Sequence, residues 1–155
     1  MVNPSAHAQV ETKLSRSLLV AIAILSLAGM IVSSISLQRH YAKSATSYCE
    51  FGEKFNCDIV NRSEYSSVAG IPVSLIGVAG YGLLLTLSTL RRSRPETPTR
   101  LLTAAAAGLL FALYLTYIEA YVLTTWCILC LTSLALMASV TALAGVLKLR
   151  LATSS

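Results

Sequence analysis

Four long stretches of the sequence contain no charged side chain, and the charged residues concentrate in the segments between them. The stretches are between 18 and 28 residues long and cover 17–38, 65–90, 101–118 and 120–147. About 20 apolar residues in a helix cross the hydrocarbon core of a bilayer. Lipid offers the backbone no hydrogen-bond partners, so such a segment must satisfy its own N–H and C=O groups, as a helix does. The pattern predicts an all-α integral membrane protein, built as a four-transmembrane-helix bundle.

The predicted organisation is one membrane domain over 1–155. Its transmembrane helices are expected at 15–37, 70–90, 100–119 and 124–147, joined by an outer loop with a short helical segment (38–69) and a cytoplasmic loop (91–99), with cytoplasmic tails at 1–14 and 148–155. The first stretch follows basic residues, as a cleavable signal peptide would. It is longer than the 7–15 apolar residues typical of such a signal, which favours a retained helix.

Composition and charge agree with a membrane location. Hydrophobic residues make up 55% of the chain and charged residues 12%, about half the charge of a soluble domain. Eight basic residues flank the predicted helices on one side: Lys13, Arg16, Arg91, Arg92, Arg94, Arg100, Lys148 and Arg150. The positive-inside rule then places both termini in the cytoplasm. The basic residues behind the net charge of +5 are therefore explained by membrane topology. Their distribution along the chain argues against a nucleic-acid partner.

Four cysteines fall on the predicted outer face, where disulfides form and persist. Cys49 and Cys57 lie in the outer loop, and Cys127 and Cys130 form a C-x-x-C pair at the outer end of the fourth helix. Residues at i and i+3 share a helix face, with Cys130 about 4.5 Å deeper than Cys127. This arrangement predicts a relay that carries electrons by thiol–disulfide exchange from water to the membrane. Two static disulfides in a non-catalytic scaffold, or a thiolate metal site, are the alternatives.

An electron acceptor that reaches Cys130 between helices must be apolar, and a membrane quinone takes the two electrons of one disulfide. The candidate quinone-binding residues are Ser63, Tyr114, Leu123, Trp126 and Leu131, with Tyr117 and Tyr121 nearby. Aromatic residues are also common at membrane interfaces without any ligand, and Ser63 could equally cap a helix. Glu119, at the outer end of the third helix, could be a hydrated interfacial residue or a proton acceptor. Its position favours the hydrated alternative.

The order of these motifs resembles the vitamin K epoxide reductase family, closest to its bacterial branch, over roughly residues 14–147. The residues that carry the resemblance are Cys49, Cys57, Ser63, Gly70-Ile71-Pro72, Cys127 and Cys130. The resemblance implies that Cys130 faces a quinone, that Cys127 exchanges with Cys57, and that Ser63 helps to hold the quinone head group. It also implies that Cys49 receives electrons from a thioredoxin-like partner, and that the protein lies in a bacterial inner membrane. The quinone would be menaquinone, ubiquinone or a vitamin K-type naphthoquinone.

Two differences from the family pattern refine the expectation. Many bacterial members carry a fused thioredoxin-like domain, whereas this sequence ends at Ser155, so a separate DsbA-like protein of the periplasm or lumen is the expected partner. The animal branch has a tyrosine where this chain has Leu134, which argues against vitamin K epoxide as the natural substrate. The predicted function is a membrane thiol:quinone oxidoreductase that supports disulfide formation in exported proteins.

Overall fold

Helices form almost all of the regular structure in the described part of the chain. The computed structural model describes residues 4–41, 54–90 and 94–153, with side chains from residue 12 onward. In chain order, the elements are α1 (Pro4–Tyr41), α2 (Cys57–Arg62), a 3₁₀ turn (Glu64–Ser66), β1 (Ser67–Val68), β2 (Ile71–Pro72), α3 (Val73–Thr89), α4 (Thr97–Ile118), a π-helical turn (Glu119–Leu123) and α5 (Ile128–Thr153). The predicted fold class, a helical membrane bundle, is confirmed.

Three of the described helices are long and apolar enough to cross a membrane: Thr12–Tyr41, Thr97–Leu123 and Ile128–Thr153. Helix α3 is also apolar but has only 17 residues, which corresponds to about 26 Å. It begins later than the predicted span at 70–90, because the preceding residues form a small antiparallel hairpin of β1 and β2. Gly70, with φ of 80°, makes the hairpin turn possible.

The long helices pack antiparallel to their sequence neighbours. An added Cβ at Gly29 of α1 would meet the ring of Tyr81 in α3, and one at Gly77 of α3 would meet Ser33 of α1. Residue 29 of α1 therefore lies beside residue 81 of α3, and residue 33 lies beside residue 77. Because the residue numbers increase in opposite directions, the two helices are antiparallel. Small residues at such contacts let helix backbones approach closely in lipid.

Antiparallel packing brings four helix ends together at one end of the bundle. These are the last turns of α1 and α4 and the first turns of α3 and α5, and the short helix α2 lies beside them; we call this the cysteine end. The hydrophobic core lies farther along the bundle, and its fully buried members include Ile22, Tyr81, Leu84, Leu101, Ala105, Val140 and Ala144. The core thus holds the helices in the register that builds the cysteine end.

Candidate functional site

Backbone pairing brings two distant cysteines together at the cysteine end. The chain before α2 and the chain before α5 form a parallel bridge, Phe55 with Trp126. The Asn56 N–H donates to the Trp126 carbonyl (3.1 Å), and the Trp126 N–H donates to the Lys54 carbonyl (2.8 Å). Cys57 lies two residues after Phe55 and Cys127 one residue after Trp126, so this pairing brings their side chains into contact.

Helix α2 is fixed in position by its own cap and by α1. The Asn56 side chain accepts hydrogen bonds from two backbone N–H groups of the first turn, at 3.0 and 3.1 Å, which is the usual N-cap arrangement. At the other end, Ser36 Oγ donates to Asn61 Oδ1 (2.6 Å) and His40 Nδ1 donates to the Asn61 carbonyl (2.5 Å). A helix as short as α2 is only marginally stable by itself. These two bonds hold it against α1 through Asn61, which lies next to the Cys127 sulfur.

Cys127 is the centre of the cysteine cluster. Its side chain is in hydrogen-bonding contact with both Cys57 and Cys130, and Asn61 Nδ2 lies 3.9 Å from its sulfur. Cys57 and Cys127 are both fully buried, so Cys127 faces Cys57 and not open water. Cys127 and Cys130 are thiols in this structure. Cys49 lies outside the described residues, and its role remains a prediction.

The C-x-x-C pair straddles the start of α5. Cys127 precedes the first helical residue, and its carbonyl accepts the first helical hydrogen bond, from Leu131 N–H (3.0 Å). Cys127 therefore lies between the spans Thr97–Leu123 and Ile128–Thr153. Its hydrogen bond to the Cys130 side chain, together with burial, raises the pKa of the Cys127 thiol, although the contact with Cys57 acts in the opposite direction. The raised pKa keeps Cys127 largely protonated at neutral pH while Cys130 is reduced.

Glu119 is buried, which contradicts the favoured interpretation of a hydrated interfacial residue. Only 2% of its surface is exposed. The π-helical turn that it begins leads into Thr124, which has a positive φ of 49°, and this turn folds the chain back over the carboxylate. Glu119 Oε2 accepts a hydrogen bond from the Cys127 N–H (3.1 Å). The carboxylate and the sulfur atoms of Cys127 and Cys130 approach one another within 4.8 Å.

A cavity of about 340 Å³ opens beside these groups, between the helices. Small and apolar residues of α1, α3, α4 and α5 form most of its wall, and Asn61, Ser63, Glu119, Leu123 and Cys130 contribute to it at the cysteine end. Ligand sites are typically 300–1,000 Å³ in volume, with a few polar groups in an apolar wall. The cavity thus has the size and character for an apolar ring with polar substituents, and a thiol lies at its wall.

Comparison with known proteins identifies the chain's relatives. A sequence model of the vitamin K epoxide reductase family matches residues 20–144, which include all four cysteines. The chain belongs to the vitamin K epoxide reductase family. No curated individual protein matches it significantly. Members of this family are oxidoreductases that act on thiols and quinones, and this chain is an integral membrane protein.

The structure brings some of the predicted quinone-binding residues of this family member to the cavity. Ser63 and Leu123 line it. In the described part of the chain, the residues that line the cavity do not include Tyr114, Trp126 or Leu131. Tyr114 is 56% exposed, on the outside of the bundle. The Ser63 hydroxyl donates to the Val60 carbonyl (2.8 Å), so it closes the end of α2 as well as reaching the cavity. A role for these five residues in quinone binding remains a prediction.

Asn61 and Glu119 are the site residues that sequence reasoning did not single out as parts of a quinone site. Both line the cavity and both contact Cys127. A signal for Glu119 was available, because it is the only charged residue between Leu101 and Leu147. An isolated charge within a membrane helix is by default a functional hypothesis.

Proposed function

We propose that this member of the family oxidises a thioredoxin-like dithiol protein of the periplasm or lumen and passes the electrons to a membrane quinone, which supports disulfide formation in exported proteins. One observation carries the proposal. Cys57, Cys127 and Cys130 form a continuous line of contacts that ends at the wall of an apolar cavity. Static structural disulfides would not need a third thiol in contact with the pair or a cavity beside it.

The relay follows from thiol–disulfide exchange. With the Cys127–Cys130 pair oxidised, the Cys57 thiolate attacks the sulfur of Cys127 and Cys130 leaves as a thiolate. Cys49 then attacks Cys57, which breaks the mixed disulfide and leaves Cys127 and Cys130 reduced. The new Cys49–Cys57 disulfide oxidises the partner's dithiol. The final step forms the Cys127–Cys130 bond again, and its two electrons and two protons convert the quinone to the quinol.

Three features of the chain itself serve this exchange. The parallel bridge at Phe55 and Trp126 holds Cys57 against Cys127, which supplies the proximity that exchange requires. The fully buried position of the Cys127 sulfur keeps water-soluble thiols, including those of the partner, away from it, so electrons reach Cys127 through Cys57. The raised pKa of the Cys127 thiol also suits its role, because Cys130, and not Cys127, must be the first to react at the cavity.

The proposed orientation places the cysteine end outside the cytoplasm. Arg100 lies at the start of α4, and Lys148 and Arg150 lie at the end of α5. In antiparallel helices these positions are at the end of the bundle opposite the cysteines. Basic residues remain in the cytoplasm, so the thiols face the compartment where exported proteins acquire disulfides.

Quinone reduction by the purified protein in detergent, with dithiothreitol as the electron donor, tests the proposal. We expect Cys127→Ala and Cys130→Ala each to abolish turnover, and Ser139→Ala, an exposed serine on α5, to leave it unchanged. In a Cys49→Ala/Cys130→Ala variant, mass mapping should find a Cys57–Cys127 disulfide. Full quinone reduction by Cys130→Ala would refute the relay. Menaquinone, ubiquinone and a naphthoquinone compared in the same assay identify the preferred acceptor.

The metal-site alternative receives less support from the geometry. A structural zinc site takes four protein ligands. Among the described residues, the carboxylate and thiol groups that converge come from Glu119, Cys127 and Cys130, and one oxygen of Glu119 already accepts the Cys127 N–H. Stoichiometric zinc in protein purified without chelator, together with absent quinone reduction, would favour this alternative.

A further inference from the structure

Glu119 is placed between the thiols and the cavity in a way that the cysteine relay does not explain. Its side chain is 2% exposed and lines the cavity. Oε2 is held by the Cys127 N–H, and the carboxyl group is in hydrogen-bonding contact with the Cys130 side chain. Oε1 is buried and accepts no hydrogen bond from an N–H or O–H group of the described residues. A buried carboxylate with so few hydrogen-bond donors is costly, so its retention needs a reason.

The chemistry of the cavity supplies that reason. Two thiol protons must leave when the Cys127–Cys130 disulfide forms, and two protons must reach the quinone oxygens. Both events occur at buried groups, since Cys127 is fully buried and Cys130 lies at the inner wall. A proton cannot move efficiently there without a group that accepts it from sulfur and releases it toward the cavity. Glutamate is one of the residues that perform such transfers in enzymes.

The distances allow Glu119 to be that group. A carboxylate oxygen lies within 4.8 Å of both sulfur atoms, a separation that a small side-chain rotation or one water molecule closes. The bond from the Cys127 N–H fixes the carboxyl group in place, in contact with the Cys130 side chain whose proton it would accept. Leu123, four residues later, also lines the cavity, so the π-helical turn delivers both the carboxylate and part of the apolar wall.

We propose that Glu119 is the proton carrier of the quinone-reducing step. In this step Glu119 accepts the proton of the Cys130 thiol, and the S–H bond breaks as an O–H bond forms on the carboxyl group. The electron pair of the sulfur leaves toward the quinone as the S–S bond to Cys127 forms. Glu119 then donates its proton to a quinone oxygen and returns to the carboxylate. The second proton, from Cys127, follows the same route, so two electrons and two protons reach the quinone.

This inference rests on the proposed function, and Glu119→Gln tests it separately. Glutamine keeps the shape and an oxygen that accepts the Cys127 N–H, but it cannot carry a proton. We expect reoxidation of the reduced protein by quinone to slow by about 100-fold or more, the usual size of an acid–base contribution. Reduction of the Cys127–Cys130 disulfide by dithiothreitol should change little. Glu119→Asp, which keeps the acid on a shorter side chain, should recover part of the rate.

Two further measurements separate proton transfer from structural damage. The solvent deuterium isotope effect on quinone reduction should be larger in Glu119→Gln than in the wild type, because proton transfer then limits the rate. Glu96→Gln, at an exposed glutamate paired with Arg100, is the matched control and should behave as the wild type does.

The outcomes distinguish the two proposals. A wild-type protein that reduces no quinone refutes the proposed function. A wild type that reduces quinone alongside an equally fast Glu119→Gln variant refutes the proton-carrier role alone. Equal losses in both half-reactions of Glu119→Gln, with no change in the isotope effect, would also overturn that role in favour of a structural one.

Discussion

Replacement of Gly29 by alanine probes the contact on which the packing of α1 and α3 depends. An alanine Cβ at this position would lie 2.2, 2.3 and 2.5 Å from three atoms of the Tyr81 ring. Carbon atoms in contact are normally about 3.5–4.0 Å apart, so the ring must move by more than about 1 Å. The ring is rigid and 1% exposed, its hydroxyl is bound to Ser133, and the free space beside it is the cavity that it lines.

The expected loss of stability can be worked out from these contacts. Overpacking in a filled core costs about 1–3 kcal/mol. The displaced ring would also weaken the hydrogen bond from the Tyr81 hydroxyl to the Ser133 carbonyl, now 2.8 Å long, which adds about 1 kcal/mol. Alanine gains about 1 kcal/mol over glycine in a helix. The free energy of unfolding of Gly29→Ala should therefore fall by about 1–3 kcal/mol.

Denaturant unfolding in mild detergent, followed by tryptophan fluorescence or circular dichroism, measures this loss. Gly82→Ala is the matched control, since its Cβ would meet only Met30 Sδ at 4.0 Å, and its stability should equal or slightly exceed that of the wild type. Because Tyr81 lines the cavity, the KM for quinone should also rise in Gly29→Ala. An unfolding free energy equal to that of the wild type, or an equal loss in Gly82→Ala, would refute the packing argument.

Three further predictions address other parts of the site. Gly108→Ala should destabilise less than Gly29→Ala, because its Cβ meets the flexible end of Met137 at 2.8 Å and a methionine side chain can repack; the same unfolding assay decides. Asn61→Ala should lower the unfolding free energy by about 1–3 kcal/mol, since it leaves a buried Ser36 hydroxyl without its acceptor; an unchanged midpoint would contradict this. In reduced protein, the thiolate absorbance that Cys127 contributes, taken as the difference between the wild type and Cys127→Ser, should appear only above about pH 8.5, the ordinary thiol value, because its pKa is raised; a midpoint below that pH would contradict the assignment.

The helical bundle could be predicted from the sequence because a long run without charged side chains marks a membrane span. A charged side chain in lipid is costly, so the long charge-free runs had to become helices. Three of the described helices are long enough to cross a membrane, and α3 is apolar but shorter. The exact helix ends could not be predicted in the same way. Residues 70–72 are as apolar as α3, and only the hairpin pairing of Ser67–Val68 with Ile71–Pro72 removes them from the helix.

The site was predictable only in part, for a different reason. The motif order predicted the four cysteines as one redox group, and the structure brings three of them, Cys57, Cys127 and Cys130, into contact. The contact between Cys57 and Cys127 depends on a parallel bridge between residues 55 and 126. Such pairing of distant short segments has no local sequence signal. The placement of Tyr114 outside the cavity likewise depends on how α4 is rotated in the bundle, which apolar composition does not determine.

The burial of Glu119 depends on the fold of the residues that follow it, and its position at the end of a membrane span did not reveal this burial. At the end of a helix a carboxylate normally reaches water, and α4 does end at Ile118. The chain continues through a π-helical turn to Thr124, which has a positive φ and whose neighbour Thr125 donates its N–H to the Glu119 carbonyl (3.2 Å). This fold turns the C-x-x-C pair back over the carboxylate. The burial of Glu119 and the position of Cys127 are therefore consequences of one turn, so a substitution that disrupts the turn should impair the thiols and the proton route together.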